Sequence, residues 1–510
     1  MEIKAADSKI KYIEKLFIVL LFLYAVLGSN NLTYGSRIIT PVMLAVFIIG
    51  GSLILYRVFH IKEYKTMTGF LPAICMLASI CLSTIVNYRY SLKQNVVFCI
   101  YWSLFFFLLY FISDRTSVRS VGANIEFTGV VFLIYITFAV IVSFYMFANG
   151  TGEKLATPDG EYDFYRGFAI GRLWGMFINP NNSAVSAGMT VLLLIYFFGK
   201  CRNVISRLLI IADMVLMTFF IALTDSRTGA VTLGISVFFY CLVSLVLRVR
   251  DRKEKGYNGR AGQHRQGIHT VSLISLAIII ALVAGFAGYA LPRQTKQIYN
   301  RVNVHIARER QKEFETAQRE KLLNEGLSED EIELIIAEEL ENEDFGLNTV
   351  ERGYDLKTDV SNRRIDAWKS AAEIFVSSPK AFIIGTSFCG FTEYALENLP
   401  HTYVVNNDYG LFTTLDNEIF NIMDAQGIIG LGCLLWLVAS ILIALFGNVF
   451  NVRTEYRQIV AVLTGICFGL AGAAMFSSVM FYHFSQNTVL FWVSLGSLIY
   501  IVKNGVTYEN

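Results

Sequence analysis

The sequence predicts an all-α polytopic membrane protein, with about 12 transmembrane helices and a mostly helical extracytoplasmic domain between helices 9 and 10. Three observations predict it. Hydrophobic residues make up 54% of the 510 and charged residues only 16%, where an ordinary soluble domain carries about 25% charge. Apolar runs of about 20 residues, the length a helix needs to cross hydrocarbon, recur along the chain. Lys and Arg are distributed unevenly over the intervening loops, as membrane topology requires. A net charge of +2 makes no case for a nucleic-acid partner. Of the eight cysteines, Cys75, Cys81, Cys99, Cys241, Cys433 and Cys467 lie within apolar runs, so neither a disulfide framework nor a paired metal-ligand spacing follows.

Taken in order, the apolar runs place spans at 12–29, 38–56, 69–86, 95–113, 124–148, 182–199, 208–224, 228–247, 270–291, 418–446, 458–480 and 487–503. The first is read as a retained span rather than a cleaved signal, because eleven more follow. Residues 1–291 then carry helices 1–9 and residues 418–510 carry helices 10–12, with 292–417 between them. One set of tails and loops holds most of the cations, including Lys4, Lys9, Lys11, Lys15, Arg57, Lys62, Lys65, Lys200, Arg202, Arg207 and the basic stretch 248–267. The opposite short loops hold only Arg37, Arg89, Lys93, Lys154, Arg166, Arg172 and Arg227. By the positive-inside rule the first set is cytoplasmic, both termini with it, and 292–417 is outside.

Within the outer segment, 302–345 reads as a charged helical hairpin broken at Gly326, with Ser328 and Glu331 spaced as a capping box. Ile332, Ile335, Ile336 and Leu340 give its second helix one apolar face, which suits packing or partner contact. A further helix is expected from Arg364 to Val376, ending before Pro379. From Gly385 to Asp416 the composition suggests an irregular, mobile loop over a substrate.

Polar residues persisting at the ends of apolar helices are costly to desolvate, so they are the natural candidates for function. Four clusters fall on the expected outer face. In the first, Gly171 to Asn182, Asn179 before Pro180 fits an N-cap followed by proline at the first helical position. A helix N-terminus with Arg172 nearby suits phosphate, and capping alone leaves Arg172 unexplained. The second is the turn Asp225-Ser226-Arg227-Thr228-Gly229; an Arg at a helix end is usually a snorkelling anchor, and the sparseness of anchoring charge on that face adds modestly to a functional reading. The third is Ser361-Asn362-Arg363-Arg364 with Asp366, which a solvated helix start also explains. The fourth runs from Asp416 to Gly430. Its Asn417, Asn421 and Asp424 follow i, i+4, i+7 spacing and give a helix a polar stripe, and Gly427 and Gly430 would admit a close helix neighbour.

In this order the motifs resemble those of the bacterial O-antigen ligase and Wzy-type polysaccharide polymerase superfamily. The likeness rests on Arg172, Gly175 and Asn179 to Asn181, then Ser226 to Gly229, then Arg364 and Trp368 in a large outer loop, then Asn417 with Gly427 and Gly430. It covers roughly residues 120–450. The resemblance implies a GT-C-like membrane fold in the bacterial plasma membrane. It also implies glycan transfer from an undecaprenyl-diphosphate donor to a sugar hydroxyl, with no metal and no cofactor. Such a reaction needs a base for the hydroxyl and positive charge for the departing diphosphate. Asp416 is the first candidate base and His401 the second; Arg172, Arg227, Arg364 and Arg363, with Asn179, Asn181 and Asn417, are the substrate-binding candidates. The ligase pattern usually has His before the Asn, where this chain has Asp416, which favours a polymerase-type member or moves the base. A ligase transferring a finished glycan to a lipid or surface acceptor shares the donor chemistry. A 12-helix transporter fits the spans but not polar clusters confined to one face. The bilayer, the donor and the glycan acceptor are the implied partners, and a chain-length regulator or flippase would be compatible with them.

Overall fold

A computed structural model of the chain describes residues 2–111, 117–156, 163–169, 171–254, 308, 311–325, 327–342, 363–407 and 412–506. It is a bundle of helices: α1 (Glu2–Gly28), α2 (Ile39–Phe59), the short α3 (Ile61–Tyr64), α4 (Phe70–Val86), α5 (Leu92–Leu104) continued by a π-helical turn (Phe105–Tyr110), and α6 (Val118–Ala148). After three strands, β1 (Gly152–Ala156), β2 (Asp163–Ala169) and β3 (Arg172–Gly175), come α7 (Pro180–Lys200), α8 (Val204–Thr224) and α9 (Arg227–Glu254). The segment 292–417 holds, among its described residues, α10 (Glu329–Asn342), α11 (Arg364–Val376), α12 (Pro379–Ile384) and α13 (Phe391–Asn398). The chain ends in α14 (Glu418–Asn448), α15 (Arg457–Ala473) and α16 (Gln486–Asn504). Among the described residues eight helices are long and apolar enough to cross a membrane, and Phe70–Val86 is a shorter apolar one. The expected span at 270–291, most of the basic stretch 248–267, Gly326, Ser361 and Asn362 lie outside the described residues.

The helices close around aromatic side chains. Trp102 stacks on Phe481 with ring centroids 5.1 Å apart, and Phe106 meets Trp492 edge-on at 5.0 Å. All six residues of the π-helical turn are buried in this cluster. Such rings contribute both large buried area and preferred pair geometries. On the other side α15 lies along α9, and the pair Gly465 and Gly469 meets Ser236 there; a Cβ on Gly465 would stand 2.7 Å from the Ser236 carbonyl oxygen. The small-x-x-x-small spacing is what lets these two helices touch through their backbones.

Three expectations need correction. The bulk of the chain is helical, but 152–175 forms a three-stranded antiparallel sheet in the order β1-β2-β3. Glu153 stands opposite Arg166 and pairs with it at 3.1 Å, while Phe164, Phe168 and Leu173 are buried. Asn31, just beyond α1, donates its side-chain amide to the carbonyls of Tyr165, Gly175 and Phe177 and so fastens the sheet to the bundle. The stretch 385–416 is not an irregular loop throughout: α13 lies within it, and Phe391, Tyr394, Ala395, Val404 and Leu415 share a small core with Ala371 and Ile374 of α11. Residues 408–411 lie outside the described part. Finally, α14 is not one continuous helix, because Gly427 has φ 64° and ψ −159°.

That break is satisfied locally. The carbonyls of Asp424 and Ala425 accept from the backbone N–H groups of Thr386 (2.7 Å) and Ser387 (3.2 Å), and the Ser83 hydroxyl also donates to the Ala425 carbonyl at 2.6 Å. A Cβ on Gly427 would stand 2.5 Å from the Ile383 carbonyl, so this glycine admits the backbone at the end of α12. Non-helical backbone at such depth is tolerable only where protein supplies its hydrogen bonds. In the hairpin, Glu331 accepts from the Ser328 N–H at 3.0 Å and from its hydroxyl at 2.7 Å, as the capping-box spacing predicts.

Candidate functional site

Arg364 opens α11, and Trp368 lies one turn on, so the two side chains share a face. Trp368 donates its indole N–H to the Leu415 carbonyl at 2.9 Å and stacks on Phe420 at 5.5 Å. This anchor holds the next residue, Asp416, beside Arg364, with Arg364 Nε 3.6 Å from Asp416 Oδ2. At that distance the contact is an ion pair rather than a hydrogen bond. Asp416 has φ 51° and Arg363 has φ 61°, left-handed values that cost a side-chain-bearing residue energy and often mark functional turns. Surrounding protein raises the Asp416 carboxyl above its ordinary value of 3.8, and the Arg364 guanidinium opposes that rise. The side chain keeps 45% of its surface open, so the carboxylate occupies a recess with one wet side.

Asn417 follows as the N-cap of α14. Its side-chain oxygen accepts from the N–H groups of Ile419 (2.9 Å) and Phe420 (3.3 Å), and its amide donates to the Met475 carbonyl at 3.0 Å. Only 3% of it is exposed. Asn421 and Asp424 continue the expected stripe, both 1% exposed; the stripe faces protein rather than an open cavity.

The first two sequence clusters converge into a second group. Arg172 on β3 is 8% exposed and donates from Nε to the Thr224 carbonyl (2.8 Å) and from Nη2 to Asn181 Oδ1 (2.6 Å). The Ser226 hydroxyl donates to the same Asn181 oxygen at 3.0 Å. Asn179 caps α7 by accepting from the N–H groups of Asn181 and Asn182, as Asn before Pro predicts. Asp225 ends α8 at φ 50°, and Arg227, exposed, starts α9.

A segment absent from the sequence-derived candidates joins the two groups. Between α15 and α16, residues 474–485 cross the same end of the bundle. Met475 takes the Asn417 amide, and the Ser477 hydroxyl donates to Asn182 Oδ1 at 2.8 Å. These two contact residues are separated by two peptide steps, at most about 7 Å of chain. Ser478 accepts from Asn421 at 2.8 Å, while Glu418 accepts the N–H groups of Met480 (2.8 Å) and Phe481 (2.9 Å) on one carboxylate oxygen. Asn487 donates to the Asn182 carbonyl at 3.0 Å. Ser477, Ser478, Gln486 and Asn487 carried a weak signal in the sequence, a polar Ser-Ser and Ser-Gln-Asn flanking an aromatic run.

His401 is elsewhere. Its Nε2 is 3.3 Å from Glu373 Oε2, both side chains exposed. Glu373 lies nine positions beyond Arg364, about 13 Å along the helix. Arg363 is exposed at the cap of α11. Among the described residues no group of three or more His, Cys, Asp or Glu side chains could hold a metal ion. What the two groups assemble is a half-open carboxylate with an adjacent guanidinium, an exposed Arg at a second turn, and a shared polar loop, all at one end of the bundle. Charge of this kind can accept a proton from a hydroxyl and steady an anionic leaving group.

Residues 213–435 match the family model described as O-antigen ligase. The match takes in Ser226 to Gly229, Arg364, Trp368, Asp416, Asn417 and Gly427, and stops short of Arg172 and the Asn179 cap. No curated protein matches the chain.

Proposed function

We propose, for a chain that belongs to the O-antigen ligase and Wzy-type superfamily, that its glycosyl transfer on polyprenyl-linked glycans is a polymerisation. An undecaprenyl-diphosphate-linked glycan is the donor, and a sugar hydroxyl of a second lipid-linked repeat unit is the acceptor. Asp416 takes the proton of the attacking hydroxyl. The hydroxyl oxygen forms the new bond to the donor's anomeric carbon as the bond to the diphosphate breaks, and the diphosphate leaves with that electron pair. Arg364 and Arg227 offset its charge, since a guanidinium meets phosphate oxygens in bidentate fashion. Arg172, with two of its nitrogens on Thr224 and Asn181, orders the Asn181 and Ser226 side of the site. No step requires a metal.

The observation that carries this reading is the Arg364–Asp416 pair at 3.6 Å, held by the Trp368–Leu415 hydrogen bond. Asp416 rather than His before Asn417 favours polymerase over ligase. The deciding experiment incubates the purified chain in lipid with an undecaprenyl-diphosphate oligosaccharide. A ladder of lengthened lipid-linked products is expected; transfer to a different acceptor alone would make it a ligase, and no glycosidic product would overturn both. Asp416→Ala should abolish product while His401→Ala retains it; the reverse pattern would move the base to His401.

A further inference from the structure

An aromatic pair on the sheet, at the end of the bundle that carries Arg172, has no part in the site described so far. Gly167 pairs with Gly175 and Phe168 with Leu173, so two consecutive residues of β2 face residues two apart on β3, and Trp174 between them has no partner in the ladder. Such a bulge re-aims the extra side chain and is frequent beside active sites. Here Trp174 meets Tyr165 of β2, with ring centroids 5.1 Å apart and planes inclined at 51°. One buried side chain pins the backbone of both: the Asn31 amide donates to the Tyr165 carbonyl at 3.1 Å and, next after Trp174, to the Gly175 carbonyl at 2.9 Å. Tyr165 and Trp174 both stay partly exposed. The indole N–H of Trp174 is enclosed without a partner among the described residues, so phenylalanine would serve packing alone without that cost. Arg172 lies two peptide steps back along β3, at most about 7 Å of chain, with Asn181 bonded to it and to Ser226.

We propose that Tyr165 and Trp174 form a platform for one pyranose unit of the lipid-linked glycan, beside the Arg172 and Asn181 group; the identity of this occupant rests on the glycosyl-transfer reading above. The C–H face of a pyranose is apolar and slightly positive, which suits the negative face of an aromatic ring, and two rings set at an angle hold it from two sides. Its hydroxyl edge is left for polar neighbours. Because the Asn31 bonds fix both strands before the sugar arrives, little ordering cost falls on binding. Tryptophans that serve only as membrane anchors stand at the interface against lipid. This one stands at a bulge in a sheet, two residues from Arg172. An aromatic contact of this kind, with the area it buries, is worth about a tenfold change in affinity.

The test uses the full chain in detergent with its five tryptophans replaced by fluorotryptophan, and reads their fluorine resonances; that of Trp174 is the one lost in Trp174→Phe. The probe is the oligosaccharide of the transfer assay, freed of its carrier by mild acid. In the wild type the Trp174 resonance should shift saturably as the probe is added. In the transfer assay itself, Trp174→Ala and Tyr165→Ala should each raise KM about tenfold while kcat holds, and Trp174→Phe should recover part of the loss. A Trp174 resonance that does not move would overturn the platform even where product forms. So would an unchanged KM in Trp174→Ala together with a lowered thermal midpoint, which would make the pair a membrane anchor. A moving resonance without any glycosidic product would uphold the platform and bring down the transfer reading instead, so the two fail separately. Because the titration is made on the wild type, it stands even if an alanine variant fails to fold.

Discussion

At the scale of single residues the proposed mechanism turns on Asp416, whose surroundings push its carboxyl above 3.8 while Arg364 pulls it back. As the proposed base it must be ionised, so activity should fall as pH drops through a value above that of a free aspartate. Arg364→Ala removes the opposing cation, and the acid limb of the kcat/KM profile should move further upward; an unmoved limb would sever Arg364 from the base. The stability sign runs the other way. A raised carboxyl binds its proton more tightly in the folded chain, so its contribution is full below the unfolded value and lost as pH rises through the folded one. At neutral pH Asp416→Asn should therefore lower kcat by about 10²- to 10⁴-fold while the thermal midpoint stays level or rises. The residue types were legible in the sequence, and so was the Asn179 cap, because Asn-Pro marks it locally; most other commitments were not. The amide of Asn417 reaches Met475, Arg172 is held on Thr224 and Asn181, and His401 lies beside Glu373, about 13 Å along α11 from Arg364. Such pairings depend on neighbours tens of positions away, which no local pattern encodes.

At the scale of elements, apolar runs located the described membrane-length helices because the bilayer imposes their length. The starts of α7, α14 and α11 fall within two residues of the expected helix starts, since Asn-Pro, Asp-Asn and Arg-Arg mark them locally. The sheet β1-β2-β3 escaped notice because its strands are four to seven residues long and set among Gly and Thr, giving no extended alternation. The break in α14 was legible only as a glycine. At Gly427 a methyl group would meet the Ile383 backbone at 2.5 Å and force a left-handed φ on alanine. Gly427→Ala should therefore destabilise the protein by roughly 2–6 kcal/mol, from the strain and overpacking ranges together, seen as a lower thermal midpoint in detergent. An unchanged midpoint would mean that α12 yields easily and that the contact is not a fixed one.

At the scale of the whole molecule the site is a convergence of β3, α7, the α8–α9 turn, α11 and the start of α14, completed by residues 474–485. Family likeness at 213–435 covers the α8–α9 turn, α11 and the start of α14 and omits β3, α7 and the bridging loop, so what joins the two groups became visible in three dimensions. If its two groups act on one transfer event, Arg227→Ala and Asp416→Ala should be strongly non-additive: the double variant should be little worse than Asp416→Ala alone, as for residues that act as a unit. Multiplying losses in kcat/KM would instead separate the two groups into independent roles. The break in α14 also bears on biosynthesis. Its bonding partners Ser83, Thr386 and Ser387 all precede it in the chain, so during N-to-C synthesis the helix emerges after the groups that complete it. The 474–485 loop is made after all of them. A ribosome that stopped after α14 would release a chain in which the Asp424 and Ala425 carbonyls already have their partners but the two polar groups are not yet joined, so α15 and α16, with the loop between them, are where the nascent chain brings the two groups together.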